Sequence, residues 1–239
     1  VGGAIGPLGR TAQQMTVDEC VAAYREQAQA LADAGADAIV LETFGDLDDL
    51  RAAIKAARLA APTLPLIAQM AFSLTGATTN GVSARRLAEA LENEPVDVIG
   101  ANCGGGESAA RRVAEEMLSV TARLVSIMPN RGLADMDEHG RPMYASEPGY
   151  FAAEGLAIVE AGANLIGGCC GTSPEDIREL AAAIGQRTPS ARRLRPSRRL
   201  VRVASAVVLP PAQPHVTKLG AGRISVIAEV DPPRGLDFS

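Results

Sequence analysis

The stretch Gly167-Gly168-Cys169-Cys170-Gly171-Thr172 decides the fold, read together with Gly100-Ala101-Asn102-Cys103-Gly104-Gly105 upstream. Each follows a short apolar run. Adjacent side chains on a regular strand point to opposite faces, so Cys169 and Cys170 converge on one point only where the backbone leaves β geometry. The flanking glycines permit that departure. Three thiolates converging at one end of a sheet form a tetrahedral zinc site with its fourth position open, the catalytic rather than the structural pattern. A substrate thiol is a natural fourth ligand. Core packing is the competing reading for a lone cysteine in an apolar strand, and it applies to Cys103 taken alone and to Cys20 on a helix. It fits the vicinal pair less well, because glycines weaken a strand without adding to a core. A disulfide between neighbours would be strained, and a redox pair would need Cys-x-x-Cys spacing.

Working outward, the same alternation of apolar runs and amphipathic segments recurs along the chain. Helices are expected from Thr16 to Ala34, Asp46 to Ala60, Ser83 to Glu92, Glu107 to about Thr121, Gly149 to Ala161 and Pro174 to Ile184. Strands are expected at Ala38–Leu41, Leu66–Phe72, Val96–Ala101, Leu124–Ile127 and Ala163–Ile166, and Leu133 to Glu147 reads as an irregular connection. Strands spaced by roughly 30 residues with a helix after each are βαβ units of a parallel sheet. Open doubly wound sheets and closed barrels both fit that rhythm. The placement of Glu42, Asn102, Cys103, Asn130, Cys169 and Cys170 at the carboxyl ends of different strands favours a (β/α)8 TIM barrel, whose active site gathers there.

The composition supports one large α/β domain: 239 residues, 47% hydrophobic but only 3% aromatic and without tryptophan, imply an aliphatic, alanine-rich core. A net charge of −5 gives no reason to expect nucleic acid or an acidic membrane surface as partner. No run approaches the roughly 18 apolar residues of a spanning helix, and no signal peptide is visible, so a cytoplasmic, thiol-reducing location is the default. The chain opens without Met on Val1-Gly2-Gly3-Ala4-Ile5-Gly6-Pro7, a strand end entering a glycine-rich turn, and reads as a fragment. After Gly185 the composition changes. Arg187, Arg192, Arg193, Arg195, Arg198, Arg199 and Arg202 crowd a stretch with Pro189 and Pro196, which reads as a solvated linker in preference to a basic docking surface. Pattern returns at Ile224 to Val230, an alternating strand ended by Asp231-Pro232-Pro233-Arg234, with no sheet of its own to join. The expected division is a barrel over 1–186, an Arg/Pro-rich linker over 187–217 and the start of a second domain over 218–239.

Gly100-Ala101-Asn102-Cys103, followed far downstream by Gly167-Gly168-Cys169-Cys170-Gly171-Thr172-Ser173-Pro174, resembles the zinc-dependent homocysteine S-methyltransferases over Val1 to Ile184. The resemblance implies zinc held by Cys103, Cys169 and Cys170, and it matches the chain to the third through eighth βα units of the barrel. The first two units, with a glycine-rich loop of the substrate pocket, would then be absent, leaving open sheet edges. Glu42 matches the family's acidic residue that receives the homocysteine ammonium, Asn102 supports the cysteine loop, and Asn130 lines the pocket. Arg131 stands where small residues are usual. Ala228-Glu229-Val230-Asp231-Pro232-Pro233-Arg234 is similar to the first strand of methylenetetrahydrofolate reductases, which some bacterial proteins join to such a methyltransferase. That second resemblance implies Glu229 as the reductase's catalytic acid and FAD as its cofactor, its flavin site lying beyond Ser239.

The implied reaction is zinc-dependent methyl transfer to the homocysteine thiol, giving methionine. Coordination deprotonates a thiol outright, whereas a free one with pKa near 8.5 stays largely protonated at neutral pH. Three cysteinates leave a divalent centre at −1 and a fourth thiolate takes it to −2, which keeps the sulfur nucleophilic. The donor would carry an activated methyl, on a sulfonium, a quaternary ammonium, methylcobalamin or a methylated folate. The rival is a non-catalytic zinc-stabilised barrel or thiol metal carrier, which predicts a fourth protein ligand. Neither His139 nor His215 sits at a strand end.

Overall fold

The structure is a computed structural model that describes residues 1–9, 14–192 and the strand at 225–228. Strands and helices alternate: β1 (Gly2–Ile5), α1 (Val17–Asp33), β2 (Ala38–Phe44), α2 (Leu47–Ala60), β3 (Leu66–Met70), α3 (Ala84–Leu91), β4 (Val98–Cys103), α4 (Glu107–Leu118) and β5 (Leu124–Pro129). A short hairpin of β6 (Ala134–Met136) and β7 (Pro142–Tyr144) intervenes before α5 (Pro148–Ala161), β8 (Leu165–Gly168), α6 (Pro174–Ile184) and β9 (Ser225–Ala228). Four of these helix starts are set by side chains. Thr16 and Ser173 form capping boxes with Glu19 and Asp176, while Asp46 and Ser83 accept from backbone amides of their own first turns.

The order β1-β2-β3-β4-β5-β8-β9, all parallel, follows the chain without reversal. Right-handed crossovers between successive neighbours put every helix on one face, so the sheet curls as an arc of a (β/α)8 barrel and not as an open doubly wound sheet. The two faces bury different sets. Ile39, Leu41, Ile99, Ile127 and Ile166 meet the helices in the large core, where Ala52, Ala53, Ala56 and Ala57 of α2 let helix and sheet approach closely. Ile67, Val98 and Leu165, with Val40 and Leu124, pack together on the inner face. The expected aliphatic core is present, and Cys20 lies in it. Among the described residues its aromatic pair is Tyr24 with Phe44, ring centroids 5.8 Å apart.

One buried ion pair ties the floor of the barrel together. Arg58 on α2 reaches Asp97 at 2.6 Å, both side chains 10% exposed, and also donates to the carbonyls of Pro95 at 2.6 Å and Leu64 at 2.7 Å. Arg58→Ala would strand the Asp97 carboxylate, since breaking a buried pair costs about 3–5 kcal/mol. A fall of about 3 kcal/mol in unfolding free energy, read from the urea midpoint at constant slope, is the expected result.

The structure departs from the sequence reading at three places. The connection at 133–147 contains the β6–β7 hairpin, which carries no burial pattern because β6 is exposed on both faces. Arg187 and Arg192, expected in a solvated linker, dock back: Arg187 donates to the carbonyls of Ala183 and Ile184, Arg192 to those of Gly162, Thr121 and Arg123 and to Asn164 Oδ1. Carbonyls orphaned near the ends of α4, α5 and α6 attract these guanidiniums. The strand expected to have no sheet instead pairs in parallel with β8, from Leu165↔Ser225 to Gly168↔Ala228, taking up that strand's unpaired backbone groups. Arg193 to Arg202, His215, Glu229 and the rest of the tail lie outside the described residues.

Candidate metal centre

The barrel brings Cys103, Cys169 and Cys170 together. Their Sγ atoms all lie within 4.8 Å of one another, with Cys103 to Cys170 at 3.9 Å and Cys169 to Cys170 at 3.8 Å. Cys20, on α1, is not among them. Cys103 ends β4 at φ 59°, so the strand's last residue turns out of β geometry. Gly104 follows at φ 84°, and a Cβ there would come under 3.0 Å from the Phe72 carbonyl oxygen, so the turn requires glycine. Cys169 and Cys170 follow β8 directly. The Cys169 amide donates to the Pro129 carbonyl at 2.9 Å, and the Arg131 amide donates to the Cys170 carbonyl at 3.0 Å.

Two asparagines join the loops. Asn102, buried on the inner face, accepts from the Thr43 amide at 2.7 Å, donates to Thr43 Oγ1 at 2.7 Å, and points the same amide nitrogen at Cys169 Sγ, 3.8 Å away. Thr43 is held at φ 62°, a strained conformation for a β-branched residue, within the bulge that interrupts β2–β3 pairing. Glu42 precedes it, half-buried, two residues past Val40 and therefore on the inner face. Asn130 accepts from the Cys170 amide at 3.2 Å and donates to the Gly104 carbonyl at 3.2 Å. Expected to line the pocket, Asn130 has both ends of its amide occupied by loop backbone, because the two cysteine turns meet over it.

Three groups at the site carried no usable sequence signal of their role. Arg131 sits 3.2 Å from the fully buried Asp176, whose other oxygen accepts from Ser173 N and Oγ at 2.7 Å, so the loop after β5 is pinned to the first turn of α6. Glu107, 3% exposed at the start of α4, accepts from the Gly132 amide at 2.9 Å. Tyr144 on β7 lays its ring against Gly171, next in the chain to Cys170.

The donor set fits a zinc ion. Ligand sulfurs about 2.3 Å from a common centre stand about 3.8 Å apart in a tetrahedron, and the Cys103–Cys170 and Cys169–Cys170 separations match that edge. Charge points the same way. The hydrogen bond from Cys169, assisted by Asn130, pulls the Cys103 thiol down to about 5, while burial, and then the Cys103 charge, push Cys170 up. Two thiolates about 4 Å apart repel by about 4 kcal/mol at an effective dielectric of about 20. The three sulfurs therefore do not ionise together unaided, and a divalent cation among them would hold all three as thiolates. No fourth His, Cys, Asp or Glu joins the cluster among the described residues.

The homocysteine S-methyltransferase family profile matches residues 1–184. Methionine synthases of Mycobacterium leprae (strain TN) and Mycobacterium tuberculosis (strain H37Rv) are 37% and 38% identical over 199 residues, which cover 77% and 76% of this chain. The chain spans 16% of the length of each of these relatives. The crystal structure of the homocysteine methyltransferase MmuM from Escherichia coli, apo form, superposes with a TM-score of 0.61 at 25% identity, covering 77% of this chain and 62% of that one. Its metallated form gives 0.59 at 25% identity, covering 76% and 60%. With a barrel arc, a trio of thiols at its strand ends and a family match over most of its length, the chain belongs to the homocysteine S-methyltransferase family.

Proposed function

We propose that this chain transfers a methyl group to the thiol of homocysteine, giving methionine, at a site where Cys103, Cys169 and Cys170 hold one zinc ion. The observation that carries the reading is the three-sulfur cluster, two of its separations near a tetrahedral edge, with no fourth protein ligand among the described residues. That open fourth position also favours catalysis over the zinc-stabilised barrel or metal carrier. Bound zinc supplies deprotonation of the incoming thiol at neutral pH and holds its sulfur in place. The chain's own residues do the rest. Glu42 receives the substrate ammonium from the inner wall, its backbone set by the strained Thr43 and the Asn102 clamp. Asn102 steadies Cys169, and Asn130 binds the two cysteine turns into one unit, so the three sulfurs keep their spacing as substrate enters.

Glu42→Gln keeps the shape and removes the charge. It should weaken homocysteine binding by roughly 1.5–3 kcal/mol, the range for hydrogen bonds to charged groups, with zinc content unchanged. Titration calorimetry decides this, and unaltered affinity would reduce Glu42 to a strand end.

The remaining parts of the reading rest on the sequence. A link to a methylenetetrahydrofolate reductase, with Glu229 as acid and FAD as cofactor, is supported by the resemblance at 228–234, and with it the division at 186 and 217. A cytoplasmic location suits four free cysteines. Among the described residues, no helix is long and apolar enough to cross a membrane.

A further inference from the structure

The inner wall of the barrel changes character one level above its apolar floor. Val40, Ile67, Val98 and Leu124 belong to that floor, and two positions further along the same strands, facing the same way, stand Glu42, Gln69, Gly100 and Ser126. Leu41 pairs with Ala68 just before the bulge in β2, so Glu42 and Gln69 are neighbours on adjacent strands about 4.8 Å apart. Gln69 in turn pairs with Gly100, and Gly100 with Ser126. A Cβ on Gly100 would come 2.1 Å from the Ser126 carbonyl oxygen. β4 therefore puts no side chain between its two neighbours, and Gln69 Nε2 donates to Ser126 Oγ at 3.0 Å across it.

That leaves one end of the amide without a partner. Gln69 is fully buried, and its Oε1 has no hydrogen-bond donor among the described residues. A buried carbonyl oxygen left unpaired is costly, and a methionine of similar size would fill the same place without that cost. The position is also the one where a donor is due. A substrate ammonium held by Glu42 carries three N–H groups, more than one carboxylate oxygen can take. A neutral amide oxygen one strand over accepts another of them, and it does so without the like-charge repulsion that a second carboxylate beside Glu42 would bring.

We propose that Gln69 Oε1 is a second acceptor for the substrate's ammonium, beside Glu42, and that it sets the preference of the site for an amino-acid thiol over a plain thiol. The inference rests on the homocysteine reading above and adds a residue that reading does not use. Ser126 then acts as a positioning residue. By engaging Nε2 it turns the amide so that oxygen, and not nitrogen, is left for the ammonium.

The test compares two ligands by titration calorimetry on the zinc-loaded full chain: L-homocysteine and 4-mercaptobutanoate, the same thiol acid without its amino group. Gln69→Met should weaken homocysteine about tenfold, the low end for a hydrogen bond to a charged group, and leave 4-mercaptobutanoate unchanged. Gln69→Met with Ser126→Ala replaces both ends of the buried bond by apolar groups, which safeguards the fold. It should show the same selective loss, with a urea midpoint no lower than wild type. A homocysteine preference that survives in both variants overturns the proposal, and an internal water is then the partner of Oε1. A parallel loss of both ligands also overturns it, because Gln69 would then only tie the wall together. If wild type itself binds the two thiols equally, the ammonium is not recognised, and the homocysteine reading falls with the proposal.

Discussion

Cys170→Ser is expected to purify without stoichiometric zinc and without methyl transfer to homocysteine, while its fold is retained. A serine hydroxyl keeps its proton at neutral pH and cannot replace a thiolate, so the site drops from three anionic ligands to two. Structural four-ligand zinc sites are worth about 10–16 kcal/mol, so one ligand of an open site should carry on the order of 4 kcal/mol, about a thousandfold in affinity. Cys170 is exposed, so the substitution opens no cavity, and far-UV circular dichroism should match wild type. Equal zinc content in the two proteins would show that Cys170 is not a ligand.

Gly104→Ala is expected to be the most damaging single-methyl change near the site. Two penalties coincide there. The residue is left-handed at φ 84°, and the added Cβ would meet the Phe72 backbone carbonyl, whose oxygen already accepts from the Gly105 amide at 3.1 Å. Backbone strain and overpacking each cost about 1–3 kcal/mol, giving a loss of about 4 kcal/mol in unfolding free energy, with Cys103 displaced and zinc affinity falling in step. Gly140→Ala isolates the first penalty, because Gly140 is also left-handed at φ 71° but a Cβ there would meet nothing within 4 Å. It should lose about 1 kcal/mol. If the two variants unfold at the same denaturant concentration, the contact with Phe72 is not what the Cys103 turn depends on.

Much of this could be read from the chain because the relevant signals are local. The strand-and-helix rhythm is written in short apolar runs and capping residues such as Thr16, Asp46, Ser83 and Ser173, and the cysteines announce themselves by their glycines. The barrel followed from where polar residues fell along the strands, and the sequential strand order confirms it. β3 ends at Met70, two residues before the expected Phe72, but the carboxyl ends of the other expected strands were read short for a physical reason. Asn102 and Cys103 are polar residues that nonetheless pair with Met128 and Pro129, because parallel neighbours extend the ladder past the apolar run. The parts that stayed hidden depend on contacts between distant residues. Nothing near Thr43 marks it as left-handed, since its conformation is held by Asn102, 59 positions away. Arg131 looks out of place until Asp176 is seen beside it, and Tyr144 sits in a stretch without alternation, so only the folded hairpin shows that its ring lies against Gly171 beside the cysteines.

The central claim is that three cysteine sulfurs hold zinc and leave one position for the substrate's sulfur. X-ray absorption at the zinc edge counts those sulfurs directly. Zinc-loaded protein should show three sulfurs at about 2.3 Å with one lighter atom, and addition of homocysteine should raise the count to four sulfurs. A centre that already has four sulfurs without substrate, or that still has three with homocysteine at saturation, would contradict the account.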